Sequence, residues 1–558
     1  MNSFHRFRPT SHFIAPHSWS NDPCGAVFVP ETQEYLICYQ WNPGTTDGGN
    51  CAWGMAKSRD LVTWEDCMPA LWNGTTYDRK GVFSGSIVSR LVDGKRVLYL
   101  YYTSVSALPI HWSKPYIHGC ESQSVAISSD YGLSWHRHSA NPLLASPPKG
   151  PATSGWRDPF VSQWPSLSTL LQHDSSTSYM MIASGERGRG PQLHLYQSND
   201  MINWEYTSML LDVASNFSIP PDSPLLKAVN FECASFFTLD QTDYIIVGIE
   251  EPADSSRHNG HCLLWLSGTL CTDDGSPRFR IRGYGFLDHG LLYAAHIFRD
   301  AQGRLIQLGW ADEAAKQSTI KRQGWAGCLG YPRELIHITR PATGGPVPNG
   351  WVLDEDRGQM STLGVRPAPQ VAQLRDAACT RSSLEGFCEM KSTNYEVEAT
   401  LSGLTGSERL VLDLRASADF AETTKLVVDL AVGQVIVDRS CSSLAGLGAQ
   451  ANDTGYFTLL EGEELRLRFF VDESVLEVFL NERFALTSRI YPSMEASMRV
   501  SYDFGAFDTS KVQFRFWEGL GSAWLKRGSA TVFDDLHPLK KVDVGAEYEP
   551  KREPIKVK

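Results

Sequence analysis

The sequence predicts an all-β protein, a five-bladed β-propeller followed by a C-terminal β-sandwich. Three observations carry that expectation. Up to about residue 340 the chain consists of short strand-like apolar runs broken by Gly, Pro, Asn and Asp, with few stretches of helical period. One phrase then recurs at fixed spacing. Ser58-Arg59-Asp60-Leu61-Val62-Thr63-Trp64 returns as Ser128-Ser129-Asp130-Tyr131-Gly132-Leu133-Ser134-Trp135 and as Ser198-Asn199-Asp200-Met201-Ile202-Asn203-Trp204, so its aspartates lie 70 residues apart each time. Finally, the C-terminal part alternates apolar and polar residues with period two, interrupted by regular turns.

The elements follow in order. Each repeat sits between two apolar runs, so it reads as a polar turn inside a hairpin with a Trp re-entering the core. A further step of 70 lands near Ser267-Gly268, after the strand-like Cys262-Leu263-Leu264-Trp265-Leu266. Such a repeat in an all-β region indicates radially arranged four-stranded sheets, and the available length gives about five of them. Pro341 to Pro369 is rich in Pro and Gly and reads as a linker. Beyond it Leu410, Leu412 and Leu414 alternate, as do Leu426, Val428 and Leu430. Leu465, Leu467, Phe469 and Val471 alternate against Arg466 and Arg468, then Asp472-Glu473-Ser474 turns the chain into Leu476, Val478 and Leu480. The expected organisation is a propeller over residues 1–345, a linker over 346–370, a sandwich over 371–540 and a tail over 541–558.

Composition narrows the function classes. The chain has 558 residues, too many for one core, and no apolar run long enough to span a bilayer. Its net charge of −12 comes without a basic patch, which argues against nucleic acid or an anionic membrane as partner. The twelve cysteines are scattered without CxxC spacing, so neither a zinc site nor a dithiol redox motif is expected. The N-terminal Met1-Asn2-Ser3-Phe4-His5-Arg6-Phe7 lacks a secretory apolar stretch, and the expected location is cytoplasmic.

A propeller gathers the first strands of its blades around a central channel, so acids near successive blade starts converge. Asp22 in Asn21-Asp22-Pro23, Asp158 in Arg157-Asp158-Pro159 and Glu232 in Phe231-Glu232-Cys233 meet that condition, about two blades and one blade apart. Singly, Asn-Asp-Pro-x-Gly is also a turn and Arg-Asp-Pro also a surface ion pair. Glu232 is the more telling, because an acid in an apolar segment is costly without a role. Converging carboxylates with no metal-ligand cluster point to acid/base chemistry that needs no metal and no cofactor.

These motifs resemble those of glycoside hydrolase family 32, the β-fructofuranosidases. The resemblance is carried by Trp19-Ser20-Asn21-Asp22-Pro23-Cys24-Gly25, Phe83-Ser84-Gly85-Ser86, Arg157-Asp158-Pro159 and Glu232-Cys233. Weaker echoes are Tyr39-Gln40-Trp41-Asn42-Pro43, Ala52-Trp53-Gly54, Gly324-Trp325-Ala326-Gly327 and the run from Val471 to Phe479, all in family order. The resemblance implies Asp22 as nucleophile, Glu232 as general acid/base and Asp158 as stabiliser of the fructosyl unit. It further implies that Asn21, Gln40, Trp53, Phe83, Ser84 and Arg157 bind substrate. Sucrose and short fructo-oligosaccharides are then the expected partners, with some transfer of fructosyl groups to sugar acceptors. Two electrostatic expectations accompany these roles: Arg157 holds the adjacent Asp158 ionised, and repulsion from two aspartates raises the pKa of Glu232. The chain departs from the family pattern at Cys24, usually Asn, at Ala234-Ser235 after Glu-Cys, and at Asn481-Glu482-Arg483, which lacks the usual glycine. Two rival readings are an inverting five-bladed glycosidase on arabinose or xylose polymers and a non-catalytic carbohydrate-binding propeller.

Overall fold

The computed structural model describes residues 3–527 apart from 150–151, 217–218, 220–222, 252–259, 343, 382–386 and 526. The expected tail at 541–558 and the end of the expected sandwich lie outside the described residues. Five sheets form the propeller. Their innermost strands are Ser18–Val29, Gly81–Val92, Thr153–Ser162, Asn230–Leu239 and Leu292–Arg299. Each is followed by antiparallel strands running outward. The ring is fastened by a late segment, Trp325–Ala326, which pairs in parallel with Ser18 and Trp19 of the first blade.

The recurrent phrase is one turn used three times. Asp60 accepts the N–H groups of Val62 and Thr63 at 2.9 and 2.7 Å and is itself held by Ser58 Oγ at 3.0 Å. Asp130 and Asp200 repeat the arrangement with Ser134 and with Ile202 and Asn203. Each turn joins the third and fourth strands of its blade. The expected fourth occurrence is absent: Ser267-Gly268 lies inside the long strand His261–Asp273. There the hairpin closes instead through Asp274 and Gly275, with φ of 49° and 76°, the geometry of a two-residue type I′ turn.

The linker expected over 346–370 is also corrected. Val352–Asp354 and Gln359–Pro367 are strands of the fifth blade, and Gln359–Pro367 pairs along its whole length with Arg333–Pro341. Pro341 and Pro367 sit at strand ends, where a missing N–H breaks no ladder, so a Pro-rich composition coexists with a sheet. Beyond it stand two six-stranded sheets packed as a sandwich. The alternating residues read from the sequence fill its core: Leu410, Leu412, Leu414, Leu426, Val428, Leu465, Leu467, Phe469 and Val471 are all buried there. Asp472 and Val475 close the hairpin that the Asp-Glu-Ser string announces.

Propeller and sandwich are joined by buried charge. His12 is wholly buried, with Nδ1 2.7 Å from Asp472 Oδ2 and Nε2 3.0 Å from Glu477 Oε1. Two carboxylate acceptors require two ring donors, so this histidine is an imidazolium. Arg333 spans Asp288 and Glu477 at 2.8 and 2.6 Å, and Asp472 also accepts the N–H groups of Thr10 and Ser11. Burial opposes every one of these charges, but the mutual bonds win: His12 is raised above its ordinary pKa, Asp472 is lowered, and Glu477 is held down to about 2.

Removing one partner leaves the others charged and dry. Asp472→Ala should cost about 3–5 kcal/mol in urea unfolding, and a loss near zero would show that the junction does not depend on this carboxylate. The depressed acids stabilise above the usual carboxylate pKa and lose that contribution as pH falls towards about 2. The raised histidine stabilises below its usual pKa and loses its contribution as pH rises through its folded value. The junction is therefore expected to be firmest between about pH 4.5 and 6.5, measured as urea midpoint against pH.

Candidate active site

All five innermost strands are irregular at one level of the channel. Ladder register shifts fall beside Asp22, Ser84, Asp158, Glu232 and Tyr293. Pro23 and Pro159 follow two of the acids and remove ladder N–H groups at those points. Asp158 and Cys233 take positive φ, 62° and 46°, uncommon for residues with a Cβ. Bulges turn side chains out of the normal alternation, and here they aim Asp22, Asp158 and Glu232 into one pocket.

Asp22 is held by neutral donors. Ser84 Oγ donates to its Oδ2 at 2.5 Å and Asn21 Nδ2 to its Oδ1 at 3.0 Å. Gln40 fixes both donors, giving an N–H to Ser84 Oγ at 2.7 Å and accepting Asn21 Nδ2 at 3.0 Å. The Cys233 thiol lies 3.5 Å from Asp22 and 3.6 Å from Asp158, joining the two aspartates across the channel. Asp158 accepts the Cys233 N–H at 2.9 Å, while its own N–H goes to Thr103 Oγ1.

Glu232 is held by Arg157 and a phenol: Arg157 Nε donates to Oε1 at 3.2 Å and Tyr293 OH to Oε2 at 2.9 Å. Arg157 also reaches Glu121 at 2.8 Å and Glu250 at 3.4 Å, so one buried guanidinium serves three glutamates. His261 stacks on Tyr293, ring centroids 4.5 Å apart. Glu232, Glu250 and His261 bring possible ligand atoms within 4.8 Å of one another. Arg157 already donates to both carboxylates, so a metal ion there would face a guanidinium.

This arrangement reverses both electrostatic expectations. Arg157 hydrogen-bonds Glu232 rather than its neighbour Asp158. Burial therefore raises Asp158 to about 7, with the charges of Glu232 and Asp22 adding to it and Arg157 opposing. Burial also opposes ionisation of Glu232, but Arg157, His261 and the Tyr293 hydroxyl together hold it below the ordinary glutamate value. The repulsion is displaced onto Glu250, which burial and the charge of Glu232 push up to about 8. Asp22 is raised by burial, against the Ser84 bond that lowers it.

Of the residues expected to bind substrate, Asn21 and Phe83 are partly exposed at the pocket, and Gln40, Ser84 and Arg157 are buried around it. Trp53 is a correction. It is fully buried, and its indole N–H donates to the Phe83 carbonyl at 3.1 Å, so it supports the pocket wall from behind. Its partner Gly54 is there for packing, since a Cβ would meet the Tyr39 ring at 2.5 Å. Cys24 likewise lies wholly buried against Ser84 and the Asp22 carbonyl, beneath the pocket. Sequence reasoning missed Glu121, Glu250, His261 and Tyr293. Glu250 ends the apolar run Tyr244-Ile245-Ile246-Val247-Gly248-Ile249, the same signal of an acid in an apolar segment that singled out Glu232.

A pocket holding one carboxylate with neutral donors and another beside a glutamate that retains its proton is the equipment of a glycoside hydrolase. The chain belongs to family 32 of the glycosyl hydrolases: the family's N-terminal domain matches residues 12–343 and its C-terminal domain residues 366–518. Among curated relatives, a sucrose-6-phosphate hydrolase of Zymomonas mobilis is 27% identical, covering 90% of this chain and 91% of its own. An extracellular exo-inulinase of Aspergillus niger is 26% identical, covering 88% and 90%. The solved β-fructofuranosidase of Aspergillus kawachii, in complex with glycerol, superposes with a TM-score of 0.80 at 26% identity, covering 94% of this chain and 96% of that one.

The coupled glutamates set a pH dependence. With a proton kept on the Glu232–Glu250 pair up to about pH 8, the alkaline limb of kcat/KM is expected there. Glu250→Gln removes the neighbour that retains the proton and leaves Arg157 to hold Glu232 ionised. The limb should then move about one unit or more to lower pH; an unmoved limb would show that Glu250 plays no part in the titration.

Proposed function

We propose that the protein is a retaining β-fructofuranosidase that releases terminal fructosyl units from sucrose and short fructo-oligosaccharides. The observation that carries this reading is the asymmetry of the pocket. Asp22 has only neutral donors and no cation partner among the described residues, whereas Glu232 sits on a guanidinium next to a protonated glutamate. A carboxylate held only by neutral donors has no cation to compete for its oxygens and is suited to attack the anomeric carbon. A glutamate beside a proton store is suited to protonate the departing oxygen.

In the first half-reaction Asp22 forms the fructosyl ester while Glu232, supplied by the pair with Glu250, gives its proton to the leaving sugar. In the second, Glu232 takes a proton from water, and the new hydroxyl displaces Asp22 with net retention. Asp158 accepts hydrogen bonds from fructosyl hydroxyls, its backbone N–H held by Thr103 and its carboxylate by the Cys233 N–H. A sugar hydroxyl can replace the water, and the product is then a longer oligosaccharide. Membership of family 32 disfavours both the inverting arabinose or xylose reading and the non-catalytic one. No metal or organic cofactor enters these steps. A cytoplasmic location belongs to the same proposal. Its support is that all twelve cysteines are unpaired, as a reducing compartment keeps them.

Asp22→Asn should lower sucrose turnover by roughly 10³–10⁶-fold with the fold intact; near-normal cleavage by the folded variant would remove Asp22 from the nucleophile role. In Glu232→Gln, a fructoside with a good leaving group should still give its initial burst, because its departure needs no proton. Loss of that burst as complete as the loss of sucrose cleavage would move the acid role to another carboxylate. Proton NMR of the first-formed fructose distinguishes retention from inversion.

A further inference from the structure

We infer that a cavity at the channel mouth, walled by Trp112, Arg187 and Lys227, binds the second sugar unit on the leaving-group side of the scissile bond. The inference rests on the reading that Glu232 is the acid. The cavity measures about 510 Å³, within the roughly 300–1,000 Å³ of small-ligand sites. Four parts of the chain build it, among them Ser154 at the start of Thr153–Ser162. Trp112 comes from the long connection between Lys95–Val105 and Glu121–Ser128, Arg187 from the turn after Ser178–Glu186, and Lys227 from the segment entering Asn230–Leu239.

Its position follows from a chain of contacts. Ser154 lines the cavity, and its Oγ donates to Asn230 Oδ1 at 3.0 Å. Asn230 Nδ2 donates to Glu250 Oε2 at 3.0 Å, and Arg157 joins Glu250 to Glu232. The cavity therefore adjoins the acid side of the pocket. Asp22 lies on the opposite side, among residues of the first two blades. A fructosyl ring with its anomeric carbon at Asp22 must point its leaving oxygen at Glu232, and whatever follows that oxygen runs towards the cavity.

The walls suit a sugar ring. Trp112 is partly exposed and offers a flat apolar face. The side chains of Arg187 and Lys227 are exposed and have no carboxylate partner among the described residues, so their N–H groups are open to hydroxyl oxygens. Arg189, two residues on, is by contrast tied to Asp212.

The test compares two donors. Sucrose leaves a monosaccharide, whereas 1-kestose, which carries one more fructosyl unit, leaves a disaccharide whose outer unit reaches the cavity. In Trp112→Ala and in the double variant Arg187→Ala/Lys227→Ala, kcat/KM for 1-kestose should fall about tenfold, mainly through KM, with sucrose changed less than about twofold. Trp112→Phe should keep most of the 1-kestose activity. Sucrose turnover reports that each variant is folded. An equal loss on both donors, or an unmoved ratio, overturns the inference. So does a double variant that weakens inhibition by inorganic phosphate yet leaves 1-kestose untouched, because the cations would then form an anion site. Failure of the wild type to release fructose from either donor would instead sink the parent reading.

Discussion

A single buried guanidinium makes the catalytic channel possible. Asp22, Asp158, Glu232, Glu121 and Glu250 crowd one space, and among the described residues Arg157 is the guanidinium that ion-pairs with three of them. Five ionised carboxylates there would repel one another beyond what one cation can offset. The site settles the conflict by protonation. Glu250 and Asp158 have their pKa values raised to about 8 and about 7. Glu232, nearest the cation and a phenol, is lowered. A proton is thus held on Glu250, which shares the Arg157 guanidinium with Glu232.

That charge distribution depends on the propeller holding its inner strands in register. Five bulges at one level supply the geometry, and parallel pairing of Trp325–Ala326 with the first blade closes the ring that keeps them level. The sandwich contributes from outside the channel. His12, in the segment before the first propeller strand, and Arg333, at the start of a fifth-blade strand, tie the propeller to Asp472 and Glu477 of one sandwich hairpin. The sequence similarity in the run Val471 to Phe479 thus has a physical source: two of its acids are the sandwich's half of a buried ionic junction.

Much of this was legible in the residues because it recurs. A turn that needs Ser, Asp and a residue at positive φ leaves the same letters every 70 residues, and strands buried on one face leave period-two patterns. The convergence of Asp22, Asp158 and Glu232 was legible because blade spacing is chain length, which the sequence records directly. What it does not record is direction. Arg157 and Asp158 are adjacent letters, but bulged backbone sends the guanidinium to three glutamates and leaves the aspartate to neutral donors. Trp53 reads as a sugar-facing residue, but its indole lies buried behind the pocket wall and donates to the Phe83 carbonyl. The proline-rich stretch after residue 340 reads as a linker because composition does not show that its prolines stand at strand ends.

The central claim is that the free enzyme keeps its catalytic proton on the Glu232–Glu250 pair under the control of Arg157. Carboxyl-carbon NMR of glutamate-labelled protein, titrated between about pH 3 and 10, tests it directly. The account predicts one glutamate carboxyl that titrates near pH 8 in the wild type and is missing from Glu250→Gln. A wild-type spectrum in which every glutamate carboxyl is ionised by about pH 6 would contradict it.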